Sequence, residues 1–130
     1  MTRVFKTHGF QRWMRKTDLT DTALCKAVVE MSVGLIDADL GGGVVKKRVA
    51  LPSRGKSGGV RTLLATNKDT RWFFVFGFEK NERDNISDQE LRALKDYAAD
   101  WLKHTPEQLD DAVDDGILQE ICKHGHPTPT

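Results

Sequence analysis

The chain has 130 residues, 38% hydrophobic and 30% charged, which suits one compact domain with a single core and is too short for two. Aromatic residues at 8%, with eleven glycines and four prolines, argue against wholesale disorder, collagen-like repetition and a coiled coil. No apolar run approaches the roughly 20 residues that span a bilayer, and the charged first ten residues lack the apolar stretch of a signal peptide, so a cytosolic protein is expected. The net charge of +1 hides an asymmetry. Residues 1–83 carry 16 Lys and Arg against 8 Asp and Glu, whereas 84–130 carry 4 against 11. A polyanion-binding face built from the first two thirds is the reading this favours.

In chain order, Arg3 to Thr7 alternates weakly and reads as a first strand. A small helix around Phe10 to Lys16 shows Phe10, Trp13 and Met14 on one face. Thr20 is an N-cap for a second helix, with Asp21 in its first turn and a core stripe of Leu24, Val28, Met31 and Leu35. Gly41-Gly-Gly43 breaks that pattern. Val44 to Leu51 then alternates, placing Val45, Val49 and Leu51 on one side of a strand and Lys46 and Arg48 on the other, with Lys47 among the apolar set. A basic glycine-rich loop follows, then a strand over Val60 to Thr66, turn chemistry at Asn67-Lys-Asp69, and a central strand over Trp72 to Phe78 that is apolar on both faces. These strands pair most simply as an antiparallel meander. Ser87-x-x-Glu90 is a capping box, with Ile86 and Leu91 as a hydrophobic staple, for a helix burying Leu91, Leu94, Ala98, Trp101 and Leu102. Thr105-Pro106-x-Gln108 starts a short acidic helix that Gly116 stops, and Ile117 to Cys122 adds an edge strand. The expected fold is α+β: a twisted, mainly antiparallel sheet of three to five strands, two N-terminal helices packed on it, and C-terminal helices. Residues 1–122 form the single domain and 123–130 a flexible tail.

Lys46, Lys47, Arg48, Arg54, Lys56 and Arg61 lie between Gly41 and Arg61 with no acid among them. Like charges crowded together cost stability unless something anionic visits them. The basic strand, the basic loop and the polar run Glu79-Lys-Asn-Glu-Arg-Asp-Asn85 are expected to converge on one site. One chemistry fits such a site: attack by a ribose 2′-OH on the neighbouring phosphate, which needs a phosphate holder, a proton acceptor and a proton donor. The guanidinium fork suits the first role, so Arg61 and Arg83 are the candidates. Crowding lowers lysine pKa values, which makes Lys46, Lys47, Lys56 and Lys80 candidates for proton exchange, with Glu82 and Asp84 as alternative acceptors. Lys46, Lys47, Arg48, Arg54, Asn81 and Asn85 are the expected RNA contacts.

His8, His104, His124 and His126 lie outside this constellation, so paired-histidine chemistry is not expected. The fuller GxxxxGK[ST] pattern is absent around Gly55-Lys-Ser57, which argues against nucleotide binding. Cys25 and Cys122 have neither CxxC nor Cys/His spacing, and in a reducing compartment they read as packing groups rather than a bridge or metal site. No cofactor or metal is expected.

Gly34-Leu-Ile-Asp-Ala-Asp-Leu-Gly-Gly-Gly43, Lys46-Lys-Arg48, Gly55-Lys-Ser-Gly-Gly-x-Arg-Thr-Leu-Leu64 and Phe76-Gly-Phe-x-Lys-Asn-Glu-Arg-Asp-Asn85 follow one another in an order that resembles the RelE/ParE superfamily of toxins, in its HigB-like branch. The resemblance covers roughly residues 1–121. It implies helices packed on a twisted sheet, and the toxin of a type II toxin–antitoxin pair. It also implies metal-free cleavage of messenger RNA in the ribosomal A site, and a partner antitoxin, expected to be a helix-turn-helix protein encoded next door. By the same resemblance Arg61 matches the arginine of the Gly-x-Arg strand motif, Lys46, Arg48 and Lys56 match RNA-facing basic positions, and Lys80 and Arg83 match those after the central strand. The terminal Tyr or His of some relatives has no counterpart near Ile117 to His124. Two rival readings are a non-catalytic gyrase inhibitor of the ParE kind and a basic RNA-binding module with degenerate chemistry.

Overall fold

A computed structural model describes residues 1–52 and 55–123, with only the main chain for 55–58. Arg54 and the expected tail from His124 onward lie outside the described residues. The elements run β1 (Arg3–Thr7), α1 (His8–Met14), α2 (Asp21–Ser32), β2 (Ala38–Gly41), β3 (Val44–Leu51), β4 (Gly55–Thr66), β5 (Arg71–Glu79), α3 (Asp88–Leu102), α4 (Pro106–Asp114) and β6 (Leu118–Ile121). No helix among them is long and apolar enough to cross a membrane.

The strands form one sheet in the order β2-β3-β4-β5-β1-β6. The expected meander of β3, β4 and β5 is present and antiparallel. The sheet is wider than anticipated, with six strands among the described residues. β2 adds one edge, and β1 inserts parallel to β5 on the other side, with Val4 beside Trp72 and Phe5 beside Phe73. β6 closes that side antiparallel to β1.

Alternation along the strands builds a core on each face. One face carries Val4, Val45, Val49, Val60, Leu64, Trp72 and Phe74 under α1 and α2, which contribute Phe10, Met14, Leu24, Val28 and Met31. The other carries Phe5, Val44, Leu63, Ala65, Phe73 and Val75 under α3 and α4, which contribute Ala98, Trp101, Leu109 and Ala112. The caps act where the sequence put them: Thr20 accepts from the Ala23 amide at 3.2 Å, and Ser87 and Glu90 exchange the two bonds of a capping box. Thr105 and Gln108 repeat that exchange. The β2–β3 turn needs its glycines, since Gly41, Gly42 and Gly43 have φ of 83°, 62° and 81°, and a Cβ on Gly42 would lie 2.9 Å from the Lys95 stem.

Three expectations are corrected. α2 ends at Ser32, so Leu35 falls in the connection to β2 and is 59% exposed rather than part of the core stripe. The first helix begins at His8, because the Thr7 hydroxyl accepts the Phe10 amide and caps it two residues earlier than the apolar pattern indicated. Cys25 and Cys122 are joined in a disulfide across 97 residues of sequence, which ties α2 to the residue after β6. Spacing in sequence held no sign of this, because the two sulfurs meet only once the sheet has brought the chain's end beside α2.

Candidate RNA-binding site

The uncovered part of the α3 face lies at the corner formed by β3 and β4. Lys46 and Arg48 point to that face because they share parity with Val44, and Arg61 joins them because it shares parity with Leu63 and Ala65. Arg48 stands directly opposite Arg61 across the ladder, and Lys46 opposite Leu63. Together Lys46, Arg48 and Arg61 line a cleft of about 220 Å³ whose other lining residue is Asp37. Asp37 is already engaged, since its carboxylate accepts the Arg48 main-chain amide at 2.6 Å. It holds the strand, and it makes no ion pair within 4 Å with either guanidinium.

Arg61 is half-buried, and its Nη1 is shielded from solvent with no hydrogen-bond partner among the described residues. A desolvated guanidinium nitrogen without an acceptor costs about 1–3 kcal/mol. Facing another arginine adds to that cost, because like charges directly opposite one another in a ladder repel. An anion in the cleft would remove both penalties.

On the β5 side of Arg61 stands Phe78, its direct partner in the ladder, with Phe76 beyond it opposite Leu63. A bulge makes this arrangement. Leu64 pairs with Phe74 and Leu63 with Phe76, leaving Val75 as an extra residue that reverses the alternation. Phe76 and Phe78 therefore share the face of Arg61, while Phe74 lies on the other. The sequence showed only an apolar run, in which period-two counting cannot locate an inserted residue.

The turn after β5 converges only in part. Arg83 donates from Nη1 to both carboxylate oxygens of Glu90, at 2.8 and 2.9 Å, and its guanidinium carbon lies 5.9 Å from the Phe76 ring centroid. Its charge is thus matched within the chain, unlike that of Arg61. The Glu90 carboxyl is held below its ordinary range, chiefly by the Ser87 main-chain amide and then by Arg83. Glu82 folds back to accept the Glu79 amide at 2.8 Å. Glu82 and Arg83 border a separate cleft beside Phe76 and Phe78. Lys80, Asn81, Asp84 and Asn85 are exposed in the same turn. Asn85 turns its side-chain oxygen to the Ile86 amide. For Lys56 the structure gives only a main-chain position in β4.

Lys47 does not belong to this site. It lies on the opposite face, 6% exposed, with Nζ 3.0 Å from Glu30 and 2.8 Å from the Leu35 carbonyl oxygen. The pair anchors the end of α2 to β3. Its place among the apolar residues of the alternation was the signal that it faces inward, and counting it with its charged neighbours overrode that signal.

A family model described as the RelE toxin of the RelE/RelB toxin–antitoxin system matches residues 2–121. No curated protein matches at a significant level. With the match running over nearly its whole length, and an α+β sheet compatible with that fold, the chain belongs to the RelE family of toxins.

Proposed function

We propose that this toxin is a ribosome-dependent endoribonuclease that cleaves messenger RNA without a metal. The observation that carries the reading is the shielded, partnerless Nη1 of Arg61 opposite Arg48, a pairing that an anion would satisfy and that matches two oxygens of a phosphodiester. In the reaction the 2′-oxygen attacks phosphorus, the bond to the 5′-oxygen breaks, and the products are a cyclic 2′,3′-phosphate and a 5′-hydroxyl. Arg61 and Arg48 hold the phosphate as negative charge builds on its oxygens. Lys46, which lines the same cleft, is a candidate for proton exchange, with Lys56, Lys80 and Glu82 beside it. Asn81 and Asn85 extend the RNA contacts from the turn after β5, and Arg54, outside the described residues, stays an expected contact. The ribosome supplies substrate positioning, so naked RNA is a poor substrate. The antitoxin is a helix-turn-helix protein that shields the basic face, and both act in the cytoplasm.

The test is induction of the chain in a bacterium, with messenger 5′ ends and plasmid supercoiling followed together. Codon-phased cuts that vanish in Arg61→Ala are the expected result. Altered supercoiling without cuts would give the gyrase reading instead.

A further inference from the structure

We infer that the Cys25–Cys122 bridge is a reversible thiol switch, opened and closed by a small anionic thiol that enters the cleft beside Cys122 and exchanges with its sulfur. The switch goes beyond the ribonuclease reading and takes from it only the cytoplasmic location, a compartment in which bridges are ordinarily transient or redox-sensing rather than permanent. Three observations at the bridge favour exchange. Cys122 has a φ of 62°, in the left-handed region that a residue with a Cβ adopts at a cost, so the closed bridge holds a backbone conformation that the open chain need not keep. Neither cysteine is sealed inside: both are half-buried at the margin of the core under α1 and α2. Cys122 also lines a cleft of about 790 Å³ that Cys25 does not line. Strained or accessible bridges are the labile ones.

The charges lining that cleft set the chemistry of the visiting thiol. Arg3, Arg71 and Lys123 stand there against one acid, Glu120. Arg3 is matched, by Glu120 at 2.8 Å and by Asp110 at 2.7 Å. Arg71 donates to the neighbouring Thr70 carbonyl oxygen, and neither Arg71 nor Lys123 has an ion pair among the described residues. Two cations beside Cys122 are thus left without a counter-charge, and they concentrate a thiol that carries carboxylates, such as the tripeptide glutathione, over an uncharged one.

In the opening step the incoming thiolate bonds to Cys122 Sγ, the bond between the two protein sulfurs breaks, and its electron pair leaves on Cys25, which takes a proton from water. A second small thiol then attacks the small-molecule sulfur of the mixed disulfide, so Cys122 leaves as a thiolate and is protonated in turn. Two electrons enter the protein, and the small thiol departs as its own disulfide, which drives the reverse. Attack runs in line with the bond that breaks, so entry at Cys122 makes Cys25 the leaving group. Opening releases β6, a four-residue strand with β1 as its one neighbour among the described residues. The bridge ties its far end to α2. Without that tie the strand is the more easily opened to proteases.

The test follows the bridge in the full chain, with free thiols alkylated and counted by mass, in mixtures of reduced and oxidised glutathione. Millimolar reduced glutathione is expected to open it, and oxidised glutathione to close it again. Lys123 is exposed, so Lys123→Glu keeps the fold; it should slow opening by glutathione about three- to tenfold and leave opening by uncharged 2-mercaptoethanol unchanged. Cys25→Ser, which keeps Cys122 alone, should take up glutathione from its disulfide about tenfold faster than Cys122→Ser, which keeps Cys25 alone. Thermolysin should digest the open form about tenfold faster than the closed one. A chain that forms no bridge in oxidised glutathione, or a bridge that stays closed in excess reduced glutathione, overturns the inference. So does equal sensitivity of the two thiols to Lys123→Glu, uptake at Cys25 as fast as at Cys122, or equal digestion of the two forms. None of these readouts involves RNA, so failure of the ribonuclease reading leaves this result standing, and the reverse.

Discussion

Arg48 and Arg61 face each other across adjacent strands, and Asp37, the one acid among the described residues that line their cleft, accepts the Arg48 main-chain amide and forms no ion pair with either guanidinium. The pair is a liability for folding, and on the proposed function a bound phosphate would convert it into affinity. Arg48→Glu should therefore raise the unfolding free energy by about 0.5 kcal/mol, by turning a repulsive cross-strand pair into an attractive one, while abolishing growth arrest. Urea unfolding and induction assays check the two halves separately.

Arg61 and Arg83 should differ in weight. Removing the group that neutralises a transition-state charge costs on the order of 100-fold or more in rate, and Arg61→Ala is expected to fall there. Arg83→Ala should lose roughly tenfold or less, because Glu90 already balances that guanidinium. Rates on programmed ribosomes order the two variants.

Binding of single-stranded RNA should weaken with salt, and each phosphate contact contributes about 0.7 to the slope of log affinity against log salt. Arg48→Ala is expected to lower the slope by that amount. Lys47→Ala should leave it unchanged, yet reduce stability by about 1–3 kcal/mol through loss of the buried contacts to Glu30 and Leu35. Titrations at several salt concentrations, with a melting curve for each variant, test both statements.

The Cys25–Cys122 bridge closes most of the chain into one loop, for which chain entropy alone gives a stabilisation of about 4–5 kcal/mol, and in practice about 2–5. Treatment with a reductant, or the double change Cys25→Ser and Cys122→Ser, should lower the melting temperature by on the order of 10 °C. Calorimetry with and without dithiothreitol measures it.

Glu90 links the turn after β5 to acid stability. Its folded carboxyl titrates below the ordinary value of 4.5. The stability it contributes is therefore complete above that ordinary value and is lost as pH falls through the lower, folded one. Urea midpoints should decline on acidification below about pH 4.5. Glu90→Gln, with no charge to lose, should show a shallower decline over the same window.

Much of the fold was legible because its local signals agree with its packing. The capping boxes at Ser87 and Thr105 and the alternation of Val44 to Leu51 stand in the structure as the residues indicated. What escaped depends on partners distant in sequence. β2 is a short edge strand held by β3 and marked by little of its own, and the parallel seat of β1 beside β5 is decided by residues some seventy positions apart. At the site, Lys46, Arg48 and Arg61 could be grouped from strand parity alone. The same parity already turned Lys47 inward, whereas the Val75 bulge and the engagement of Arg83 by Glu90 could not be read, since each is settled by a neighbour that only the assembled sheet supplies.

The placement of β1 has a consequence for timing. β1 sits between β5 and β6, so it waits for its inner neighbour until residues 71–79 are made and for its outer one until residues 118–121. Pairing across such separations is slow, because the entropy of closing long loops is lost before any contact forms. A nascent copy is thus an incomplete sheet until β6 has been made.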